Sequence, residues 1–384
     1  MKNRTIFIVL AGLVCGLILT GCNKSSESKP AAAGGADAAA KDKAAFSLSL
    51  ATPLSAEDAA IDVQAKSNNP NKVVFRIGSV LRNYDESPYA RSNRQLLIEL
   101  KKRLQDKIEI QTYFGGTLGT TADQILGGLQ ARSFEAYDYN VGAFAEYTNA
   151  FMPLDVMYLI PDAKAGIAVC ESEPGELMRQ KCIEDTNIHV LYYYNIGMRY
   201  ITNTKRPIHT PKDMQGLKIR VQNNPLHILA MKQLGAAPTP IAYAELFTAL
   251  QQKVVDGQEN PVSNIYDQNY GEVQSYMTLS NHMYTAGTVA VNRSWLLEQS
   301  IEFQQALRES IKIAEEYSSM ETQKLEAGLL EALSKEMEVY NLTAEQFKEF
   351  QDISKQTWPQ AADRIGKDYF EKIRASIEKI LANM

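Results

Sequence analysis

The chain is organised around the stretch Asn195-Ile-Gly-Met-Arg-Tyr-Ile-Thr-Asn-Thr204, which is followed by Gly216-Leu-Lys-Ile-Arg-Val221 and Asp256-Gly-Gln-Glu-Asn-Pro261. Arg199 and Arg220 each lie inside a short apolar segment that predicts a β-strand. An unpaired buried charge is costly, so each guanidinium needs a partner. Neither segment contains an adjacent carboxylate, which leaves room for one that arrives with a solute. The pattern predicts a periplasmic binding protein that captures an organic acid anion.

Six different short motifs occur along the chain in a specific order and spacing. They are Gly197-x-Arg199, Arg206-Pro207-Ile208, Gly216-Leu-Lys-Ile-Arg220, Gly235-Ala-Ala-Pro-Thr-Pro240, Ala249-Leu-Gln251 and Val255-Asp-Gly-Gln-Glu-Asn-Pro261. Together they resemble the solute-binding subunits of tripartite ATP-independent periplasmic (TRAP) transporters, of the dicarboxylate- and sialic-acid-binding type. The resemblance covers roughly residues 72 to 384.

The resemblance implies an α/β fold with two lobes, a central cleft and a long spine helix that runs across both lobes. By analogy, the chain crosses between the lobes near residues 195 and 285. Lobe I is then expected at about 71–195 plus 286–325, and lobe II at about 196–285 plus 326–384. The lobes are expected to close around the solute by a hinge motion, and the closed form to dock on the membrane permease subunits.

The same resemblance assigns candidate ligand-binding residues. Arg220 corresponds to the arginine that grips the ligand carboxylate, and Arg199 to a second arginine near the same anion. A guanidinium offers planar, paired donors that a lysine lacks. Asn223 and Asn260 correspond to amides that contact the ligand, and Tyr243 to an aromatic residue that packs against it. The acid itself stays open among dicarboxylates, sugar acids, keto acids and aromatic acids.

The first half of the folded region alternates predicted strands and helices. Strands are predicted at Lys72–Gly78, Ile108–Tyr113 and Ala136–Val141, with helices marked by Leu97, Leu100 and Leu104 and by a capping box at Thr121. This rhythm is typical of an α/β sheet with parallel crossovers, in which ligands lie beyond the carboxyl ends of the strands. Asn140 ends its strand and is therefore a further candidate to face the cleft, with a simple turn residue as the alternative.

The second half shows a similar pattern. Strands are predicted at Leu217–Val221 and Val254–Val255, and helices at 225–234 and 245–251. Glu259-Asn260-Pro261 is then expected at a strand end. From Trp295 to about Tyr340 the spacing of apolar residues predicts one very long helix, or two with a slight break, and Thr343 opens another helix with a capping box.

The N-terminus predicts a lipoprotein. Lys2 and Arg4 precede the apolar run Ile6–Leu19, and Thr20-Gly-Cys22 ends it, so residues 1–21 are expected to be a signal peptide and Cys22 to carry the lipid. Residues 22–70 are rich in small and polar types, which predicts a disordered tether. The expected location is the periplasmic or cell-surface side of a bacterial membrane.

Charge and cysteine content narrow the function classes. The formal net charge is −5 without a basic stripe, so nucleic acid is not an expected partner. Cys170 and Cys182 remain after the signal peptide and the lipidated residue are set aside. In an oxidising compartment a disulfide between them is predicted, and it would stabilise the folded state by roughly 3 kcal/mol. The alternative is two unpaired thiols.

Other functions are less well supported. None of the four histidines belongs to an H-E-x-x-H motif, and there is no G-x-S-x-G or C-x-x-C, so an enzyme, a metal site and a cofactor are not predicted. An envelope enzyme acting on organic acids and a receptor that presents its ligand to a signalling partner stay as alternatives. The binding protein of an ATP-driven importer would share the two-lobed plan, but the Gly216–Arg220 and Asp256–Pro261 motifs favour the TRAP type.

Overall fold

The computed structural model describes residues 54–84 and 90–384. Its strands are β1 (Val73–Ser79), β2 (Ile108–Tyr113), β3 (Ala136–Asn140), β4 (Ile188–Asn203), β5 (Lys218–Val221), β6 (Ala237–Pro240), β7 (Gly257–Pro261), β8 (Tyr276–Leu279), β9 (Tyr284–Asn292) and β10 (Glu338–Asn341). Its helices are α1 (Ala56–Ala59), α2 (Arg91–Leu104), α3 (Ala122–Gln130), α4 (Ala163–Cys170), α5 (Glu173–Thr186), α6 (Pro225–Gln233), α7 (Leu246–Gln251), α8 (Val262–Asp267), α9 (Arg293–Glu298), α10 (Ile301–Leu333), α11 (Ala344–Lys355), α12 (Trp358–Ile365) and α13 (Lys367–Leu381). The predicted signal peptide, Cys22 and the tether up to residue 53 lie outside the described residues.

The strands form a mixed sheet in the order β2-β1-β3-β9-β4-β7-β5-β6, with β8 beside β4 and β10 beside β8. β1 is parallel to β2 and β3, as the strand–helix rhythm predicts, whereas β9 is antiparallel to both β3 and β4. The N-terminal part of β4 pairs with β9, and its C-terminal part pairs with β7 and β8. One strand of 16 residues therefore joins two groups of strands. The α/β prediction is confirmed.

A β-bulge interrupts β4 where its pairing partner changes. The register with β9 shifts between Asn195 and Gly197, and Gly197 has a φ of +119°. A side chain is strained at that φ, so glycine is the residue that fits. The bulge lies two residues before Arg199 and explains why the Gly-x-Arg motif needs its glycine.

The helix α10 is the long spine helix. Ser300 caps it by accepting a hydrogen bond from the backbone N–H of Phe303, and its 33 residues span about 50 Å. Buried apolar residues at helical spacing, among them Leu325, Leu329 and Leu333, hold it to the core, and it packs against both α2 and β4. The break that separates it from α9 lies at Gln299, whose ψ of 155° is extended. The bounds predicted for the two lobes stay a prediction.

The predicted tether is wrong for its last residues. Residues 54–70 pack on the domain: Val63 is buried, and Ser67 donates a hydrogen bond to the carbonyl oxygen of Asp106. Asp58 forms an ion pair with Lys102 of α2. A few apolar and charged anchors are enough to order this segment, although its average composition predicts disorder.

The strand predicted at Val254–Val255 is also wrong. Lys253 has a φ of +59°, and the N–H of Val254 donates to the carbonyl oxygen of Ala249, which closes α7. The strand begins only at Gly257. Glu259 and Asn260 therefore lie within β7 rather than at its end, and cross-strand pairing with β4 decides this register.

The predicted disulfide is absent, since Cys170 and Cys182 are both free and buried. The carbonyl of Cys170 packs against Gly175 in the first turn of α5, so closely that a Cβ there would lie 1.9 Å from it. Cys182 follows Gly175 by seven residues, about 10 Å along the helix axis. A disulfide needs Cα atoms about 4.4–6.8 Å apart. The Cys182 thiol instead lies 3.7 Å from the Thr186 hydroxyl.

Candidate ligand-binding site

A cavity of about 480 Å³ lies at the carboxyl ends of β3 and β5 and beside β4 and β7. Open α/β sheets bind ligands at such strand ends. The wall contains all six residues that the sequence singled out as ligand-binding: Arg220, Arg199, Asn260, Asn223, Tyr243 and Asn140. The fold thus brings together side chains from four strands and the loops after them.

Arg220 lies in β5, between β6 and β7, and is 2% exposed. Its Nε and Nη2 donate to the carbonyl oxygen of Ile241, at 2.9 and 2.7 Å. Over residues 54–84 and 90–384 it forms no ion pair with a carboxylate. Burial lowers the pKa of Arg220, because the interior disfavours the charged form. The guanidinium is thus a buried charge on a cavity wall, without a carboxylate partner among the residues that the structure describes.

Arg199 differs, because it has an internal partner. Its Nε donates to Glu259 Oε2, and its Nη2 donates to Glu259 Oε1 and to Asn260 Oδ1, both at 3.1 Å. Nη1 donates to the Thr285 hydroxyl at 3.1 Å. Arg199 therefore pairs with a protein carboxylate, although its own segment contains none. Glu259 comes from the neighbouring strand β7, sixty residues away in sequence, which local pattern could not indicate.

Glu259 is fully buried at the centre of a charged network. It accepts hydrogen bonds from Arg199. Its Oε1 lies 3.1 Å from His227 Nδ1, and its Oε2 lies 3.2 Å from His282 Nε2. Burial raises the pKa of Glu259, but the charge of Arg199 and the contacts with both imidazoles outweigh burial and hold the pKa well below its ordinary value. His227 Nε2 also lies 3.1 Å from Asp155 Oδ1. Arg199 is thus held in place by a carboxylate that is itself held on several sides.

The two histidines are expected to affect stability in opposite pH directions. Burial alone would lower the pKa of His227, but Glu259 and Asp155 outweigh burial and raise it, as two flanking carboxylates require both ring nitrogens to donate. The stability that His227 contributes is fully present below about pH 6.5, the pKa of histidine in the unfolded chain. It is lost as the pH rises through the higher pKa of His227 in the folded protein. For His282 burial dominates and lowers the pKa, so the folded state loses stability as pH falls below about 6.5.

This prediction is tested by urea unfolding of the wild type, His227→Gln and His282→Gln between pH 5.5 and 8.5. The stability difference between wild type and His227→Gln should shrink as pH rises, by about 1.4 kcal/mol for each unit by which the pKa is raised. His282→Gln, the matched control, should show the opposite slope. Parallel pH profiles for the two variants would contradict the assigned charge states.

The other predicted residues hold different positions on the wall. Asn260 is buried, with Oδ1 accepting from Arg199 and Nδ2 donating to Gln258 Oε1 at 2.5 Å. Tyr243 accepts a hydrogen bond from Asn264 Nδ2 at 3.0 Å, and Asn223 is exposed at the rim. Asn140 both lines the cavity and caps the 3-10 turn after β3, accepting from the N–H of Ala143 at 3.1 Å. The two interpretations of Asn140 are therefore compatible.

Sequence reasoning missed several residues of the wall, including Asp138, Tyr139 and Tyr194. The Asp138 carboxylate is buried and accepts from the hydroxyls of Tyr194 at 2.5 Å and Ser79 at 2.9 Å. Burial raises its pKa to about 6 despite these bonds. Burial also raises the pKa of Tyr139 to about 12; nearby Glu146 adds to this shift, and Arg220 opposes it. A polar residue in a short alternating strand offers no local signal that it faces a cavity.

In the part of the chain that the structure describes, no group of three or more His, Cys, Asp or Glu is arranged to hold a metal ion. Over the same residues, no helix combines the length and apolar character needed to cross a membrane.

Comparison with known proteins finds one matching family model and several relatives. Residues 83–364 match the family model described as bacterial extracellular solute-binding protein, family 7. The chain is 30% identical over 237 residues to the 2,3-diketo-L-gulonate-binding periplasmic protein YiaO of Escherichia coli (strain K12), covering 61% of this chain and 72% of the relative. It is 28% identical over 323 residues to the C4-dicarboxylate-binding periplasmic protein DctP of Vibrio cholerae, covering 82% and 94%.

A solved structure agrees with these relatives. The sugar acid binding protein DctPAm of Advenella mimigardefordensis, in complex with galactonate, superposes with a TM-score of 0.75 at 26% identity, over 81% of this chain and all of that one. The matched family consists of binding proteins rather than enzymes. The chain therefore belongs to family 7 of the bacterial extracellular solute-binding proteins, the solute-binding proteins of TRAP transporters.

Proposed function

We propose that this chain is the extracytoplasmic receptor of a TRAP-type secondary transporter, and that it binds an organic acid anion by pairing the ligand carboxylate with Arg220. One observation carries the proposal: Arg220 is buried on the wall of a cavity and has no carboxylate partner among the described residues. The cavity volume of about 480 Å³ suits a small solute. The relatives named above are described as binding a diketo sugar acid, C4-dicarboxylates and galactonate, all of which are organic acids.

The hydrogen bonds of Arg220 support this role. Nε and Nη2 are bonded to the Ile241 carbonyl, which fixes the plane of the guanidinium. Nη1 has no acceptor in the described part of the chain and remains for the solute. Arg199, braced by Glu259, is proposed to supply further donors from β4, with Asn260, Asn223, Tyr243 and Asn140 completing the contacts.

Transport is proposed to follow from closure of the two lobes around the solute. A solute that contacts both β3 and β5 binds the closed form more tightly and shifts the population toward it. The lobes are proposed at about 71–195 plus 286–325 and 196–285 plus 326–384, with the bulge at Gly197 close to a crossover. The closed form would deliver the solute to the permease, while a lipid on Cys22 would hold the receptor at the periplasmic or outer face of a membrane.

Binding of an organic acid is expected to raise the melting temperature. At a ligand concentration about 100 times the Kd, mass action stabilises the folded state by about 2.7 kcal/mol, which corresponds to several degrees. Thermal-shift measurements over a panel of organic acids check this. Galactitol is the matched control for galactonate, because it has the same carbon skeleton without a carboxylate. If the neutral polyol raised the melting temperature as much as the best acid did, carboxylate recognition would be rejected.

A further inference from the structure

The charged residues of the cavity wall are divided by sign. Among the described residues, its cations are Arg199 of β4 and Arg220 of β5. The carboxylates among the described lining residues are Asp123, Asp138 and Glu146, and they come from α3, from β3 and from the turn that follows β3. A solute in the cavity therefore meets cations on the side formed by β4 and β5 and carboxylates on the side formed by α3 and β3.

The cationic end offers one uncompensated charge. Arg199 is paired with Glu259 in a buried bidentate contact, so its positive charge is already balanced. Arg220 donates only to a neutral carbonyl. One carboxylate on the solute balances Arg220, and a second carboxylate would find no free cation among the described residues of the wall.

The opposite end keeps its negative charge. Asp138 accepts hydrogen bonds from neutral hydroxyls of Tyr194 and Ser79, and Asp123 accepts from the hydroxyl of Tyr147 at 2.9 Å. Glu146 has no hydrogen bond or ion pair with the described residues. None of these partners is a cation, so the carboxylates are solvated by dipoles but not neutralised.

The N-terminus of α3 does not reverse this balance. Thr120, Thr121 and the first turn of α3 line the cavity, and a helix N-terminus carries an effective charge of about +0.5. Asp123 lies in that first turn and contributes a full negative charge. The terminus with its aspartate is therefore net negative, and it adds no site for a second carboxylate.

The sheet register gives the offset along β9 between the positions of Asp138 and Arg199. Asp138 of β3 is opposite Val289 of β9, and Arg199 donates to the hydroxyl of Thr285 on the same strand. Four residues along a strand span about 13 Å. A five- or six-carbon chain anchored at the arginines extends toward the carboxylates, where hydroxyl groups can donate to them. A shorter diacid anchored in the same way would have no cationic partner for its second carboxylate among the described residues of the wall.

We infer that the solute is a polyhydroxylated monocarboxylate, of the aldonic acid type, and that the site discriminates against dicarboxylates. This inference rests on the proposed function and narrows it. The named relatives include proteins described as binding either class, so the choice comes from the charges on this cavity wall. Hydroxyl donors satisfy the carboxylates of the far end, whereas a second anion would be repelled there.

The test is calorimetric titration of the protein at pH 7.5 with matched pairs of acids. Galactonate is paired with galactarate and gluconate with glucarate, because the members of each pair differ only in a terminal CH₂OH or carboxylate; succinate is added as a short diacid. The tightest ligand is expected to be a monocarboxylate, at least about tenfold tighter than its paired diacid. A diacid that binds as tightly as its partner, or tighter, overturns the inference.

Variants identify the cause of the discrimination. Glu146→Gln removes an exposed charge at the cavity and should reduce the preference for the monocarboxylate several-fold, with Asp138→Asn as a second variant. Glu338→Gln is the matched control, since Glu338 is exposed on β10 and does not line the cavity. An unchanged preference in both Glu146→Gln and Asp138→Asn overturns the inference.

Different results would overturn the inference about the solute and the proposed function on which it rests. A diacid that binds best and depends on Arg220 would overturn the inference and leave the proposed function standing. Binding of none of these five acids would overturn the inference, and failure of every acid in the wider thermal-shift panel would overturn the proposed function as well. Monocarboxylate affinity that survives Arg220→Ala would overturn the proposed function itself.

Discussion

Replacing Arg220 by alanine is expected to lower the affinity for the organic acid by about 30-fold to several thousand-fold. The range corresponds to the roughly 2–5 kcal/mol lost when one partner of a buried charge pair is removed. The effect is large because the guanidinium is 2% exposed and the ligand carboxylate would be left in the same desolvated cavity without a counter-charge. Calorimetric titration with the best acid from the panel measures it.

Two further substitutions at the same position separate charge from geometry. Arg220→Lys keeps the charge but loses the planar fork and the bonds to the Ile241 carbonyl, so it should recover only part of the affinity. Arg220→Met removes the charge and keeps the side-chain volume. Because burial of an unpaired charge is costly, Arg220→Met should not lower the free energy of unfolding of the unliganded protein. A variant that loses stability together with affinity would show that Arg220 is mainly structural.

Glu259→Gln is expected to lower the free energy of unfolding by about 3–5 kcal/mol, since removing one partner of a buried ion pair leaves the other uncompensated. Arg199 and His227 would both lose the carboxylate that balances them. Urea unfolding near pH 7 measures the loss. Because the pKa of Glu259 is depressed, its contribution is present above the unfolded pKa of about 4.3 and is lost as pH falls through the folded pKa. The variant should lack this part of the acid sensitivity.

A double variant provides the control for the second prediction. Replacing Arg199 by methionine in Glu259→Gln removes the uncompensated guanidinium, so it should recover part of the lost stability. Solute affinity is expected to remain reduced in the double variant, because Arg199 lines the cavity. If Arg199→Met lowered the free energy of unfolding as much in the Glu259→Gln variant as in the wild type, the two residues would not be coupled.

The strand and helix order could be predicted because it depends on local pattern. β1, β2, β3 and β5 lie within a residue or two of their predicted bounds, and Thr343 opens α11 with the predicted capping box. The position of Asn140 at the cavity followed from the rule that strand ends form sites, whereas the assignment of Arg220 followed from its apolar strand and from the family resemblance. Errors arose where two local signals compete, as at Val254, where a β-branched pair lies inside a turn closed by the backbone of α7.

Pairings between distant segments could not be predicted. The partner of Arg199 is sixty residues away on β7, and the cysteines that looked bridgeable are separated by the geometry of α5. Asp138, Glu146 and Tyr194 reach the cavity only because β3 and β4 both pair with β9.

The amino-acid sequence by itself determined the α/β class, the spine helix and the arginine strands, because hydrophobic periodicity and glycine or proline chemistry act over a few residues. Tertiary structure alone decided which arginine is already neutralised and where the carboxylates of the cavity lie. The physical reason is that charge compensation depends on distances of a few ångströms between side chains, and the register between distant strands sets those distances.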